Sequence, residues 1–141
     1  MAAERGEFRI VTSALTLTEV IKIKGSKTLP PDQEDSMRAF FEHEWIVVRD
    51  VDRFIAEQAR DFIWGHKLAP YDAIHPATAY KHKLQHLGTY DNDLGRLAGK
   101  IGAPPMTIGE PLVIPYQAEL PAIETGAKKL PKKRAAKIKK T

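Results

Sequence analysis

The strongest constraint on this chain is its rhythm: short runs of β-forming residues alternate with longer stretches of helical period. FRIVT at residues 8–12, WIVV at 45–48, HLGTY at 86–90 and MTI at 106–108 are the β-type runs. Between them, residues 13–24 put Leu17, Val20 and Ile21 on one helical face, with Gly25 placed as a C-cap. Residues 32–41 predict a second helix, and 51–64 a third with Phe54, Ile55, Ala59, Phe62 and Ile63 apolar. Residues 72–85 and 92–100 predict two more, the last ended by Gly102, after which Ala103-Pro104-Pro105 breaks the chain. Pro76 lacks an N–H and predicts a shift or kink at the start of its helix. Strands that alternate with helices predict an α/β fold, a mostly parallel sheet flanked by helices with right-handed crossovers.

The 141 residues suffice for one domain with a core. The chain holds no cysteine, which excludes disulfides, thiolate zinc sites and thiol nucleophiles and predicts a cytoplasmic location. MAAERGEFR has no apolar h-region, and no apolar run approaches the length of a membrane span. The net charge of +4 hides a division: eight of the 22 Lys and Arg lie from Ala127 onward with no acid among them, leaving 14 cations against 18 acids before it. A mildly acidic domain at 1–112 is therefore predicted, followed at 113–141 by a proline-containing linker and a disordered basic tail. The tail either holds a polyanion such as RNA through its phosphates or only keeps the chain in solution; it lacks interleaved aromatics for base stacking.

The candidate chemistry lies in carboxylates near the ends of these elements. Pro70–Leu94 carries Asp72 and Asp91 where turns, helices and a strand change over, and Glu19 lies in the upstream block RIVTSALTLTEVI. Three carboxylates gathered beside strand ends suit a hard cation such as Mg²⁺ or Mn²⁺, which can activate water and neutralise a phosphate oxygen. Each acid also has a purely structural role open to it. Glu19 can complete a capping box with Thr16, Asp72 can favour its helix dipole, and Asp91 or Asp93 can cap a turn. His75, His82 and His86 fall at helical spacing without a companion acid in sequence, which predicts exposed or capping roles. Gly-rich phosphate loops, GxSxG elbows and HExxH are absent from the sequence.

Taken together the blocks resemble the PIN domain, the fold of VapC-like toxins of toxin–antitoxin pairs. The residues that carry the resemblance are Thr12-Ser13 with Leu15-Thr16-Leu17 and Glu19-Val20, then Asp72-Ala73-Ile74-His75 with Ala77-Thr78-Ala79, then Thr89-Tyr90-Asp91 with Leu94, over residues 7–112. The resemblance implies a ribonuclease that cleaves RNA phosphodiesters with Mg²⁺ or Mn²⁺, with Glu19, Asp72 and Asp91 as catalytic and metal-binding acids and Asp93 as the substitute for Asp91. It also implies an antitoxin partner and a homodimer. Members of the family open on a central apolar strand bearing a further aspartate, and this chain is expected to lack it, one carboxylate short and with neighbouring strand edges unpaired. A non-catalytic binding module with a basic tail is the alternative reading.

Overall fold

The computed structural model describes residues 2–21 and 29–112. Strand β1 (Ile10–Ser13) leads into a single helical turn, α1 (Thr16–Glu19), and helix α2 (Pro31–Phe41) leads to strand β2 (Ile46–Arg49). Helices α3 (Arg53–His66) and α4 (Pro70–Lys81) follow, then β3 (His86–Gly88), the short α5 (Asn92–Gly95) and β4 (Thr107–Gly109). The alternation is that of an α/β fold, and both ladders are parallel. The strands nevertheless form two separate pairs, β1 with β2 and β3 with β4, rather than one continuous sheet. The first helix, expected over 13–24, is the single turn α1, closed at Val20; its expected Gly25 cap falls in residues 22–28 and the linker and tail in 113–141, both outside the described residues.

Local chemistry explains the element boundaries. Pro31 and Pro70 open α2 and α4 in the first turn, where a missing N–H costs nothing. Asp52 caps α3, its carboxylate accepting from the Ile55 amide at 3.0 Å. Lys67 closes the same helix in the left-handed region at φ 58°, its amide donating to the Ile63 carbonyl at 2.9 Å. Pro76, fully buried, sits inside α4 without ending it, and the helix begins at Pro70 rather than at Asp72. The expected helix at 92–100 is shorter, since α5 gives way to turns after Gly95. Gly102 has φ +92° and a Cβ there would come within 2.9 Å of the Pro104 carbonyl, so only glycine fits this bend.

The core lies between α3, α4 and the β3–β4 side of the molecule. Ile55, Ala59 and Phe62 of α3 meet Ala73, Ala77 and Ala79 of α4, and Leu68, Leu94, Leu97, Ile101, Met106 and Ile108 complete the cluster. Alanines on α4 bring the two helices close, and the Phe62 and Tyr80 rings meet edge to face at 6.1 Å between centroids. By contrast α2 buries no residue, and its ring cluster of Phe40, His43 and Trp45 lies at the surface end of the helix. Ile55→Ala, at a side chain with no exposure, should lower the unfolding free energy by about 3 kcal/mol in urea titration, whereas Leu17→Ala at a half-exposed position should change it by well under ~1 kcal/mol.

Asp52 also ties the start of α3 to the end of α4 through an ion pair with Lys81. The Lys81 ammonium first, and the Ile55 amide second, hold the Asp52 carboxyl below its ordinary value of 3.8. A carboxyl lowered in the folded state stabilises fully above its unfolded pKa, and that contribution fades as pH falls through the lower folded value. Asn caps as well as Asp, so Asp52→Asn should keep α3 intact while flattening the decline of melting temperature on the acid side of pH 4; added salt should shrink the difference, because the pair is exposed.

Candidate functional site

Residues at the end of α1 and the start of α4 meet on the surface. Glu19 is the last residue of its helical turn, and its Oε2 lies 3.1 Å from Nε2 of His75 on α4. Asp72 lies in the first turn of α4, one turn before His75, on the same face of the helix. The junction is held from below by β1. Ser13 is 1% exposed and its Oγ accepts from the Leu15 amide at 3.0 Å, while the Thr12 and Thr16 hydroxyls pair at 2.7 Å. The capping box expected of Thr16 and Glu19 therefore does not form: Leu15 stands at the N-cap without a side-chain bond, Thr16 turns to Thr12, and Glu19 reaches across to His75. No companion for His75 is visible in the sequence, because Glu19 is distant along the chain and arrives only through packing of α4 on β1.

Asp91 has a different occupation. It is the N-cap of α5, and its Oδ1 accepts from the amides of Asp93 at 2.7 Å and Leu94 at 3.1 Å. Asp93, its expected substitute, forms an ion pair with Arg96. The remaining histidines separate as well. His82 ends α4, and burial first, then the Arg49 and Lys81 cations, hold its imidazolium below the ordinary range. His86 donates from Nε2 to the Glu110 carbonyl at 3.1 Å and meets the Thr107 hydroxyl at 2.8 Å through Nδ1. A groove of about 570 Å³ lies beside α1, walled by Leu17, Val20, Met37, Phe41 and Val48, with the Glu34–Arg38 ion pair at its rim.

A family model described as the PIN domain matches residues 2–100, and the chain belongs to the PIN-domain family. No curated protein and no solved structure matches the chain. The family is in general one of nucleases acting on nucleic acid, and its members generally depend on a divalent metal ion. Such an ion needs several oxygen donors around one point. Among the described residues no group of three or more His, Asp or Glu is so arranged. Glu19 is paired with His75, Asp72 lies one turn earlier on α4, and Asp91 is engaged in its cap. The described residues in this arrangement do not make a site for the ion. Among the described residues no helix is long and apolar enough to cross a membrane.

The cap at Asp91 separates two roles by substitution. Asp91→Ala should cost about 1 kcal/mol in denaturant unfolding, while Asp91→Asn, whose amide oxygen can still accept from both backbone N–H groups, should cost a few tenths of that. Equal losses in the two variants would show that the charge, and not the cap, matters to stability.

Proposed function

We propose that this chain acts on RNA as a PIN-type endoribonuclease of the VapC-like toxin kind, with Glu19, Asp72 and Asp91 as its acids. The observation that best supports this is the pairing of Glu19 with His75, which α4 packing on β1 brings together from distant parts of the chain on the helix whose first turn carries Asp72. Hydrolysis of a phosphodiester needs water aimed at phosphorus and a group to take its proton. A carboxylate beside an imidazole can orient the ring and hold that proton. Mg²⁺ or Mn²⁺, when bound, would supply charge neutralisation at the phosphate; holding it calls for Glu19 to leave His75 and for the acids to gather. An antitoxin protein and a second copy of the chain are the partners this reading brings with it, and a cytoplasmic location is its setting.

A second reading has its own support. Glu19 is already paired with His75 and Asp91 already caps α5, an arrangement suited to a binding module that holds RNA without cutting it, with the basic residues from Lys128 onward contributing phosphate contacts. Incubation of a mixed RNA pool with purified protein, with Mn²⁺ or Mg²⁺ against chelator, separates the two. Cleavage with either ion should fall by about a hundredfold or more in Asp72→Asn and in Glu19→Gln. Equal cleavage by parent and variants would overturn the nuclease reading. Retention of intact RNA, weakening steeply with salt, would establish the binding module in its place.

A further inference from the structure

A second cleft, of about 340 Å³, lies between the end of α3 with the turn after it and α5 with the turns after it. The buried Leu68 and Leu97 line it, and Lys67, Arg96, Lys100 and His66 supply most of its polar wall. Three Lys or Arg against one carboxylate, Asp93, reverse the balance of the domain, since the chain before Ala127 has 18 acids and 14 cations. Asp93 is already engaged by Arg96. Among the described residues no carboxylate pairs with Lys67 or Lys100. Two ammonium groups without a counter-charge at one opening attract an anion, and in an acidic domain they mark the place where it settles.

Lys67 stands in the cleft against its backbone preference. Its φ of 58° lies in the left-handed region, where a side chain crowds the following carbonyl and helices most often place glycine. The amide bond to Ile63 and the burial of Leu68 fix the bend, but neither requires a lysine at it. The helix dipole favours a cation at this end, a benefit that a lysine one turn earlier would supply without the strain. Three aromatic rings add a second signal. Trp64 at 81%, Tyr90 at 78% and Tyr71 at 67% are the most exposed Trp, Tyr or Phe side chains among the described residues. Each stands within three residues of one that lines the cleft, Gly65, Asp93 and Leu68 respectively. Exposed rings beside cations are the pairing that single-stranded nucleic acid uses, stacking bases on the rings while its phosphates meet the charges.

We propose that this cleft is the track for a single strand of RNA, with phosphates on Lys67 and Lys100 and bases on Trp64, Tyr71 and Tyr90. A free phosphate or an acidic peptide would use the lysines and leave the rings idle, and a duplex would keep its bases stacked away from them; a single strand uses both. The end of this chain does not qualify, because its eight cations from Ala127 onward are repelled by the lysines of the cleft. The elements that carry two of the proposed acids border the track: α4 opens just after Leu68 with Asp72 in its first turn, and Asp91 caps α5. The proposal rests on the reading that the chain meets RNA, and it names the form of RNA taken and the place. Binding is measured apart from cleavage, so RNA held here and left uncut would sink the nuclease reading and leave this one standing.

Titration of the full chain in chelator, where no strand is cut, tests it with an oligouridine of about twelve nucleotides and a duplex RNA of the same length. The single strand should bind about tenfold tighter than the duplex and quench indole emission, and Trp64→Leu should lose both the quenching and about tenfold in affinity. Trp64→Phe keeps a ring and should retain most of the affinity. Lys67→Gly suits the left-handed φ, so it should melt with the parent; combined with Lys100→Gln it should lower the slope of log affinity against log salt by about 1.4, two phosphate contacts' worth. The basic residues from Ala127 onward are present in every protein compared, so their share cancels. Should Lys67→Gly unfold, Lys100→Gln and Trp64→Leu, both at exposed positions, make the same measurement. An unchanged salt slope in the lysine variants, a duplex bound as tightly as the single strand, or unquenched indole at saturation would each overturn the proposal.

Discussion

The close approach of α3 and α4 is the contact on which the rest of the molecule depends. Ala73 and Ala77 have no exposure, and side chains this small let the helices approach until Ile55 is enclosed completely. Complete enclosure of an isoleucine is worth roughly 2 kcal/mol of transfer free energy, and the same approach fixes where α4 points. Its N-terminal half brings His75 to Glu19, and its body packs on β1 and β3, the inner strands of both ladders. Pro76 fits the scheme, since its ring is buried and the helix continues past it.

The order of elements was legible in the sequence because β-branched runs and helical spacing are local signals, and FRIVT, WIVV and HLGTY each overlap a real strand. Boundaries were less legible. The strand expected over 8–12 is Ile10–Ser13, set by pairing with β2 rather than by propensity. The acids were found as residues, but their engagements were not. Thr16 and Glu19 have capping-box spacing, yet Thr12 and His75 compete for them, and both competitors depend on tertiary packing. Asp91 shows the opposite case: its capping role is local and follows from the residues just after it. Membership of the PIN family confirms the resemblance carried by the DAIH and TYD blocks, while the separation of the sheet into two pairs is a property of hydrogen bonding that no run of residues displays.

That separation and the arrangement of the acids are connected. Glu19 follows β1 and Asp91 follows β3, so the distance between them is governed by whatever fixes the two ladders relative to each other. Within the described residues α4 makes that link by resting on both inner strands. A helix resting on strands through side-chain packing positions them less firmly than a hydrogen-bonded ladder would, because dispersion contacts have no preferred direction.

The same layout divides the chain in time. α3 and α4 close on each other across residues 67–69, a short connection with little loop entropy to overcome, and most of the buried cluster gathers round them. β1 must instead find β2 across residues 14–45, and its parallel register rewards the search only once both strands are aligned. Loop closure over long separations slows folding where local contacts do not. The helical hairpin is thus the early-forming part of the molecule, and the edge bearing Glu19 is assembled late, onto a surface already built.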